Sequence, residues 1–141
     1  MNNINTQNNK QLKNLFDKNF SKFSFNFENE STVVFEEENL IENAKIVGEY
    51  SLKRLNNISN HLIGDVRGNG LFFGVEFVDS TGKPATKFTA RVVEEMQQHG
   101  ILLNSIGRYR NTLKMRPPMP FSKENSDLAI DTLEFVLEKL T

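Results

Sequence analysis

From residue 40 onward, apolar residues recur at spacings that identify their secondary structure. Leu40, Ile41, Ala44, Val47 and Leu55 fall on one helix face, behind the acidic run Glu36–Glu38 that suits a helix N-terminus. The pattern fades at "NNISNH". Leu71, Phe73, Val75 and Phe77 then alternate, the period-two pattern of a strand with one buried face. "STGKP" reads as a turn. Phe88, Val92 and Met96 recur every fourth residue, and Gly100 stands where a helix stop belongs, so Thr86–His99 is predicted as a second helix. "ILL" is predicted as a short strand, "NSIGRYRN" as a loop, and "TLKM" as another short strand stopped by Pro117 and Pro118. Ser122 is placed to cap a last helix carrying Leu128, Ala129, Leu133, Val136, Leu137 and Leu140.

The predicted order is helix, strand, helix, strand, strand, helix. Such a chain is α+β, a small antiparallel sheet packed against amphipathic helices. There is no internal repeat. Ahead of this region the chain reads differently. "MNNINTQNNKQ" is polar and asparagine-rich and is expected to be a disordered tail. In "FSKFSFNF", Phe23, Phe25 and Phe27 alternate with polar residues. That predicts a half-buried strand, with a loosely packed sticky segment as the alternative.

Composition narrows the chemistry. The 141 residues carry 17 basic and 18 acidic side chains, a net charge of −1, so no overall field favours nucleic acid or another polyanion. Without cysteine there is no disulfide, thiol nucleophile or thiolate metal site. His61 and His99 lack metal-ligand spacing, and no metal site is expected. No apolar run approaches the roughly 20 residues that cross a membrane. The start lacks the charged and apolar regions of a secretory signal, so a cytoplasmic location is expected. Lys10, Lys13, Lys18 and Lys22 faintly resemble a mitochondrial presequence, but no arginine accompanies them.

Several motifs then compete for a role. In "RGNGLFFG", Gly68, Gly70 and Gly74 are spaced one residue longer than a dinucleotide fingerprint, and they precede a strand instead of opening a helix. They are read as a structural turn or bulge at the strand entrance, with Gly74 allowing close backbone approach. Lys83 sits in a glycine–proline turn, where a solvated amine keeps its proton, and is read as a surface residue. His99 stands at a helix end that favours cations and needs no function there. Glu36–Glu38 and Glu94–Glu95 read as solvated helix charges.

Arg116 differs. Its neighbours Leu113, Met115, Pro117, Pro118, Met119 and Phe121 are apolar. Strand alternation sets Leu113 and Met115 on one face and Lys114 and Arg116 on the other, and the two prolines stiffen the backbone after the arginine. A guanidinium on a stiff segment suits bidentate recognition of a carboxylate or phosphate. The ordinary alternative is a surface arginine paired with an acid.

Four blocks, "EEENLIENAKIVGEYSLKRL", "IGDVRGNGLFFGVEFV", "ARVVEEMQQHGILL" and "RYRNTLKMRPPMPFSKENSDL", together resemble the C-terminal small domain of class III pyridoxal-phosphate aminotransferases. Within that family they resemble the branch containing alanine–glyoxylate aminotransferases and ethanolamine-phosphate phospholyases. The resemblance runs from Val33 to Leu140. It implies a small domain over 33–141, with residues 1–32 as a separate segment of unknown role. It also implies that Arg116, in the "K-x-R-P-P" block, clamps the carboxylate of an amino or keto acid substrate. The cofactor implied is pyridoxal phosphate. Family members bind it through a large domain that supplies the Schiff-base lysine, an aspartate facing the pyridine nitrogen, and phosphate ligands. No segment of these 141 residues resembles that domain, and "GKP" at Gly82–Pro84 echoes the lysine motif only by coincidence. This chain alone is therefore expected to hold no cofactor and no catalytic residue.

The expected function is the substrate-binding part of a transaminase, borrowing or pairing with a large domain or acting within a homodimer. The alternatives are a non-enzymatic module that pairs with a full-length aminotransferase, and a gene remnant. A neighbouring reading frame encoding the large domain would favour the first. Arg108 and Arg110 flank Tyr109 on a loop near the family's active-site mouth. They are weaker candidates for a second anionic group of the substrate, the alternative being solvated loop arginines.

Overall fold

A computed structural model describes residues 25–26, 32–33 and 39–141. The chain divides into two units, residues 1–41 and 42–141. The first contains a short antiparallel ribbon of β1 (Phe25–Asn26) and β2 (Thr32–Val33), with Phe25 opposite Val33. The strand expected around Phe25 thus has its middle in this ribbon. Phe23, Phe27 and the asparagine-rich start lie outside the described residues.

The remaining elements are α1 (Leu40–Asn56), β3 (Ile63–Asn69), β4 (Phe72–Phe77), α2 (Thr86–Gln98), β5 (Asn104–Ile106), β6 (Thr112–Met115) and α3 (Lys123–Leu140). Strands β3 to β6 form one antiparallel sheet in the spatial order β3-β4-β6-β5. Alternation along the two central strands sends Phe73, Val75, Phe77, Leu113 and Met115 to one face. There they join apolar residues of all three helices in one core. The α+β class expected from the sequence is the class observed. Phe77 is fully buried and meets Phe88 edge to face at 5.4 Å. Burying one such side chain contributes about 1.5–3 kcal/mol.

Both predicted helix signals act as expected. Gly100 follows the C-cap His99 with φ +81°, a left-handed value that glycine accepts without strain. The Ser122 side chain accepts a hydrogen bond from the Asn125 backbone N–H at the start of α3.

The structure corrects four expectations. A whole strand, β3, precedes β4 and was not predicted. Its sequence, IGDVRGN, holds two glycines and three polar residues. It also lies at the sheet edge with only Ile63 and Val66 half-buried, so it shows no alternation. "ILL" is not a strand. Pairing with β6 begins only at Asn104, so the strand lies three residues later, in the stretch expected to be loop. Leu128 of α3 and Ile41 of α1, both assigned to core faces, are 64% and 70% exposed. Ile41 sits beside the buried stripe of α1, whereas Leu128 lies on the side of α3 turned away from its buried residues Ser126, Ala129, Ile130, Leu133, Val136 and Leu137.

The three glycines read as one turn are spread over a hairpin. Gly70 occupies the β3–β4 turn at φ +53°, while Gly68 lies within β3 and Gly74 within β4. A β-carbon on Gly68 would lie 2.4 Å from the Phe72 carbonyl oxygen, and one on Gly74 would lie 3.2 Å from the Thr112 methyl. The ladder between β3 and β4 is irregular between Ile63 and Asp65, at Gly64.

Candidate functional site

The site begins with strand β6. Its hydrogen bonds to β4 on one side and β5 on the other hold Lys114 between Gly74 and Asn104. Leu113 and Met115 are buried on the helix-covered face, Lys114 is half-buried, and Arg116, just past the strand, is exposed. The chain then runs Pro117-Pro118-Met119-Pro120-Phe121. It turns with a hydrogen bond from Phe121 N–H to the Pro118 carbonyl, 3.0 Å. Asn43 of α1 ties this segment down, donating from Nδ2 to the carbonyls of Met119, 2.8 Å, and Phe121, 3.0 Å.

Beside the segment lies a groove of about 690 Å³, lined by residues 100–104, residues 114–118, Phe121 and the first half of α3. Leu102 and Leu128, 80% and 64% exposed, stand on its rims. Two buried serines from facing helices, Ser51 and Ser126, also line it, with their Oγ atoms 2.6 Å apart. Ser51 already donates to the Val47 carbonyl at 2.7 Å, so the hydrogen between the serines is given by Ser126.

The arginines of this fold divide into paired and unpaired. Arg54 binds Asp127 at 2.6 Å and Asp131 at 2.7 Å, joining α1 to α3. Arg67 binds Asp65 at 2.5 Å and Glu76 at 2.8 Å. Among the described residues, no carboxylate stands within ion-pair distance of Lys114 or Arg116. Two cations thus stand two residues apart on a stiff segment beside the groove, open to an anion. The sequence marks Arg116 but gives Lys114 no role. Its signal is the two-residue spacing, which gains meaning only once β6 is known to flank a groove. Asn43 and the serine pair have no sequence signal, because their partners lie about 75 residues away.

Arg108 and Arg110 are elsewhere. They sit in the β5–β6 loop, at the other end of β6 from Arg116, and do not line the groove. The four-residue strand sets the two ends roughly 13 Å apart. The Arg108 guanidinium lies over the Tyr109 ring, 5.5 Å from its centre. Arg110 adopts φ +53° and donates to the Ser105 carbonyl at 3.1 Å. Thr86 Oγ1 holds the loop through the Tyr109 carbonyl at 2.5 Å, and buried Asn111 donates to the Phe77 carbonyl at 2.9 Å.

Lys83 is exposed in its turn. The turn is organised by Asp79, whose carboxylate accepts from the Thr81 hydroxyl and from the backbone N–H groups of Thr81 and Lys83. These bonds, that of the Thr81 hydroxyl first, hold the Asp79 carboxyl below its usual range. Among the described residues no lysine is buried, and no His, Asp or Glu cluster could hold a metal ion. A Schiff-base lysine needs a desolvated amine. Among the described residues, then, no lysine is set apart by burial as the desolvated amine a Schiff base draws on. No helix among them is long and apolar enough to cross a membrane.

The sequence matches the family described as aminotransferase class III over residues 24–137. An alanine/serine racemase of Pyrococcus horikoshii is 38% identical over 103 residues, which are 72% of this chain and 22% of the racemase. A mitochondrial alanine–glyoxylate aminotransferase 2 homolog of Arabidopsis thaliana is 34% identical over 111 residues, 76% of this chain and 23% of that protein. The fold superposes on a phospholyase from Arthrobacter, solved in complex with phosphoethanolamine, with a TM-score of 0.73. That match has 38% identity and covers 76% of this chain and 26% of the phospholyase. The chain thus spans about a quarter of the length of these relatives. On a family match that spans most of its residues and a sheet-and-helix fold shared with a solved relative, the chain belongs to the pyridoxal-phosphate-dependent class III aminotransferases.

Proposed function

We propose that this chain acts as the substrate-holding small domain of a class III enzyme that works on an amino or keto acid. Arg116 and Lys114 grip the substrate's anionic group, a carboxylate or, as the phospholyase relative's ligand suggests, a phosphate. The observation that carries this reading is the cation pair on β6 and its proline-stiffened end, without an acidic partner among the described residues and beside a groove. A planar guanidinium grips two oxygens at once and fixes the orientation of what it holds, while the lysine adds a second charge without that directional demand. Holding one end of the substrate sets the angle of the carbon that must lose its proton.

Pyridoxal phosphate supplies the carbanion chemistry in such enzymes once protein residues hold and orient it. Those residues would come from a large domain, on this or another polypeptide. The reaction class is transamination or a related pyridoxal-phosphate reaction such as elimination. By itself the 141-residue chain is expected to bind anions and turn nothing over.

Acetate and inorganic phosphate, titrated separately into isotope-labelled protein, provide the test. Saturable amide shifts confined to residues 114–116 and the groove, lost in Arg116→Ala and weakened in Lys114→Ala, are the expected result. Shifts that never saturate, or that survive both substitutions, would refute the reading.

A second reading rests on Leu102 and Leu128, two leucines largely exposed beside the groove. It makes the chain an interaction module that covers this apolar strip by pairing with a full-length aminotransferase. Sedimentation of the chain with such an enzyme separates the two readings: a stable complex that no anion perturbs favours the module.

A further inference from the structure

We infer that Asn43 is a positioning residue, whose side-chain amide fixes the segment carrying Arg116 against helix α1. This rests on the anion-binding reading of Arg116, and it begins from a shortage of donors. Pro117, Pro118 and Pro120 have no N–H, so between Arg116 and Ser122 only Met119 and Phe121 can donate from the backbone. The Phe121 N–H is already used on Pro118. The carbonyls of this stretch therefore look outside the segment for donors. Asn43 meets that demand, its one amide nitrogen donating to both Met119 and Phe121 across 76 and 78 residues of chain.

The choice of asparagine follows from its chemistry. A side-chain amide carries two N–H donors on a short stem, so a single residue can bridge two carbonyls. Aspartate has the same shape and no donor when ionised, and would set a negative charge against two carbonyl oxygens. Alanine leaves both carbonyls without a partner. Strand β6 fixes the segment at its start and the Ser122 cap fixes it at its end, and Asn43 fixes the middle.

The test reads order before it reads binding. In wild-type protein without ligand, both Asn43 Nδ2 protons should exchange slowly with solvent, and fast exchange would overturn the inference. In Asn43→Asp and Asn43→Ala, fast backbone motion should rise across residues 116–121, the Arg116 Nε–Hε signal should shift and sharpen, and acetate should bind about tenfold more weakly. Asn111→Ala serves as the control, because it removes a second amide clamp, a buried one, at the far end of β6. It should lower stability and leave the 116–121 signals and acetate affinity unchanged. Rigid 116–121 signals in both Asn43 variants, or equal loosening in Asn111→Ala, would show that Asn43 does not position the segment. A wild-type chain that binds neither acetate nor phosphate would sink the anion-binding reading alone, because the motion measurements need no ligand.

Discussion

Gly48 in the middle of α1 touches the backbone of Gly70 in the β3–β4 turn: a β-carbon on Gly48 would lie 2.2 Å from the Gly70 carbonyl oxygen. Helix and hairpin approach this closely because Gly48 has no side chain, whereas a β-carbon on Gly70 would meet only the Ala44 carbonyl oxygen, at 3.8 Å. Gly48→Ala gains about 1 kcal/mol of helix propensity. The obstacle is backbone, so the helix or the turn must move, and forced overpacking costs about 1–3 kcal/mol. A net loss of stability in urea denaturation is expected. An unchanged midpoint would mean that the two elements can part without cost.

Arg116→Ala should separate binding from folding. The side chain is exposed and has no ionic partner among the described residues, so stability should stay within about 0.5 kcal/mol of the parent. Anion binding should be lost. A large drop in melting temperature would show instead that the arginine is structural.

Adding pyridoxal phosphate to the chain, then reducing with borohydride and mapping peptides, should label many lysines weakly. The described lysines are exposed or half-buried, so none is set apart as a desolvated amine. A single stoichiometric adduct, with Lys83 the first position to inspect, would reveal a cofactor site that this fold does not suggest.

Acid should weaken the junction of α1 and α3. Asp127 accepts from the Tyr50 hydroxyl at 2.6 Å and from Arg54 at 2.6 Å, and these bonds hold its carboxyl below the ordinary 3.8. The same contact pushes the Tyr50 phenol upward, because its hydroxyl donates to the carboxylate. A carboxyl whose folded value is depressed adds stability above its unfolded value and loses it as the pH falls toward the folded one. Asp127→Asn should therefore flatten the fall in stability below about pH 4, while costing stability at neutral pH. An unchanged acid slope would mean that solvent screens the pair completely.

Ser122→Ala removes the acceptor that satisfies the Asn125 N–H at the start of α3. A loss of about 0.5–2 kcal/mol is expected in chemical denaturation. Ser122→Asp should retain most of it.

What could be read from the sequence was what lies inside single elements. Leu71, Phe73, Val75 and Phe77 alternate because β4 lies in the sheet interior with one covered face. Val92 and Met96 recur because α2 buries one stripe. Strand β3 escaped because an edge strand with few buried side chains need not alternate. "ILL" misled because Ile101 and Leu103 pack partly into the core without joining the ladder, while Leu102 points outward. At the candidate site, Arg116 was visible through its prolines. Lys114 gained meaning only from the groove, and the Asn43 tether joins segments whose separation leaves no periodic trace.

Among the described residues the sheet ends in β3 on one side and β5 on the other. An exposed strand edge is a template onto which another chain can add, the first step toward aggregation. β5 offers only three residues to such an intruder. β3 offers seven, but the irregularity at Gly64 interrupts their register, and Arg67 bridges Asp65 and Glu76 across the strip beside the edge. A strand arriving there must accommodate a break in its pairing and desolvate three charges. The ion pairs of Arg67 therefore add a desolvation cost for any strand that pairs at this edge.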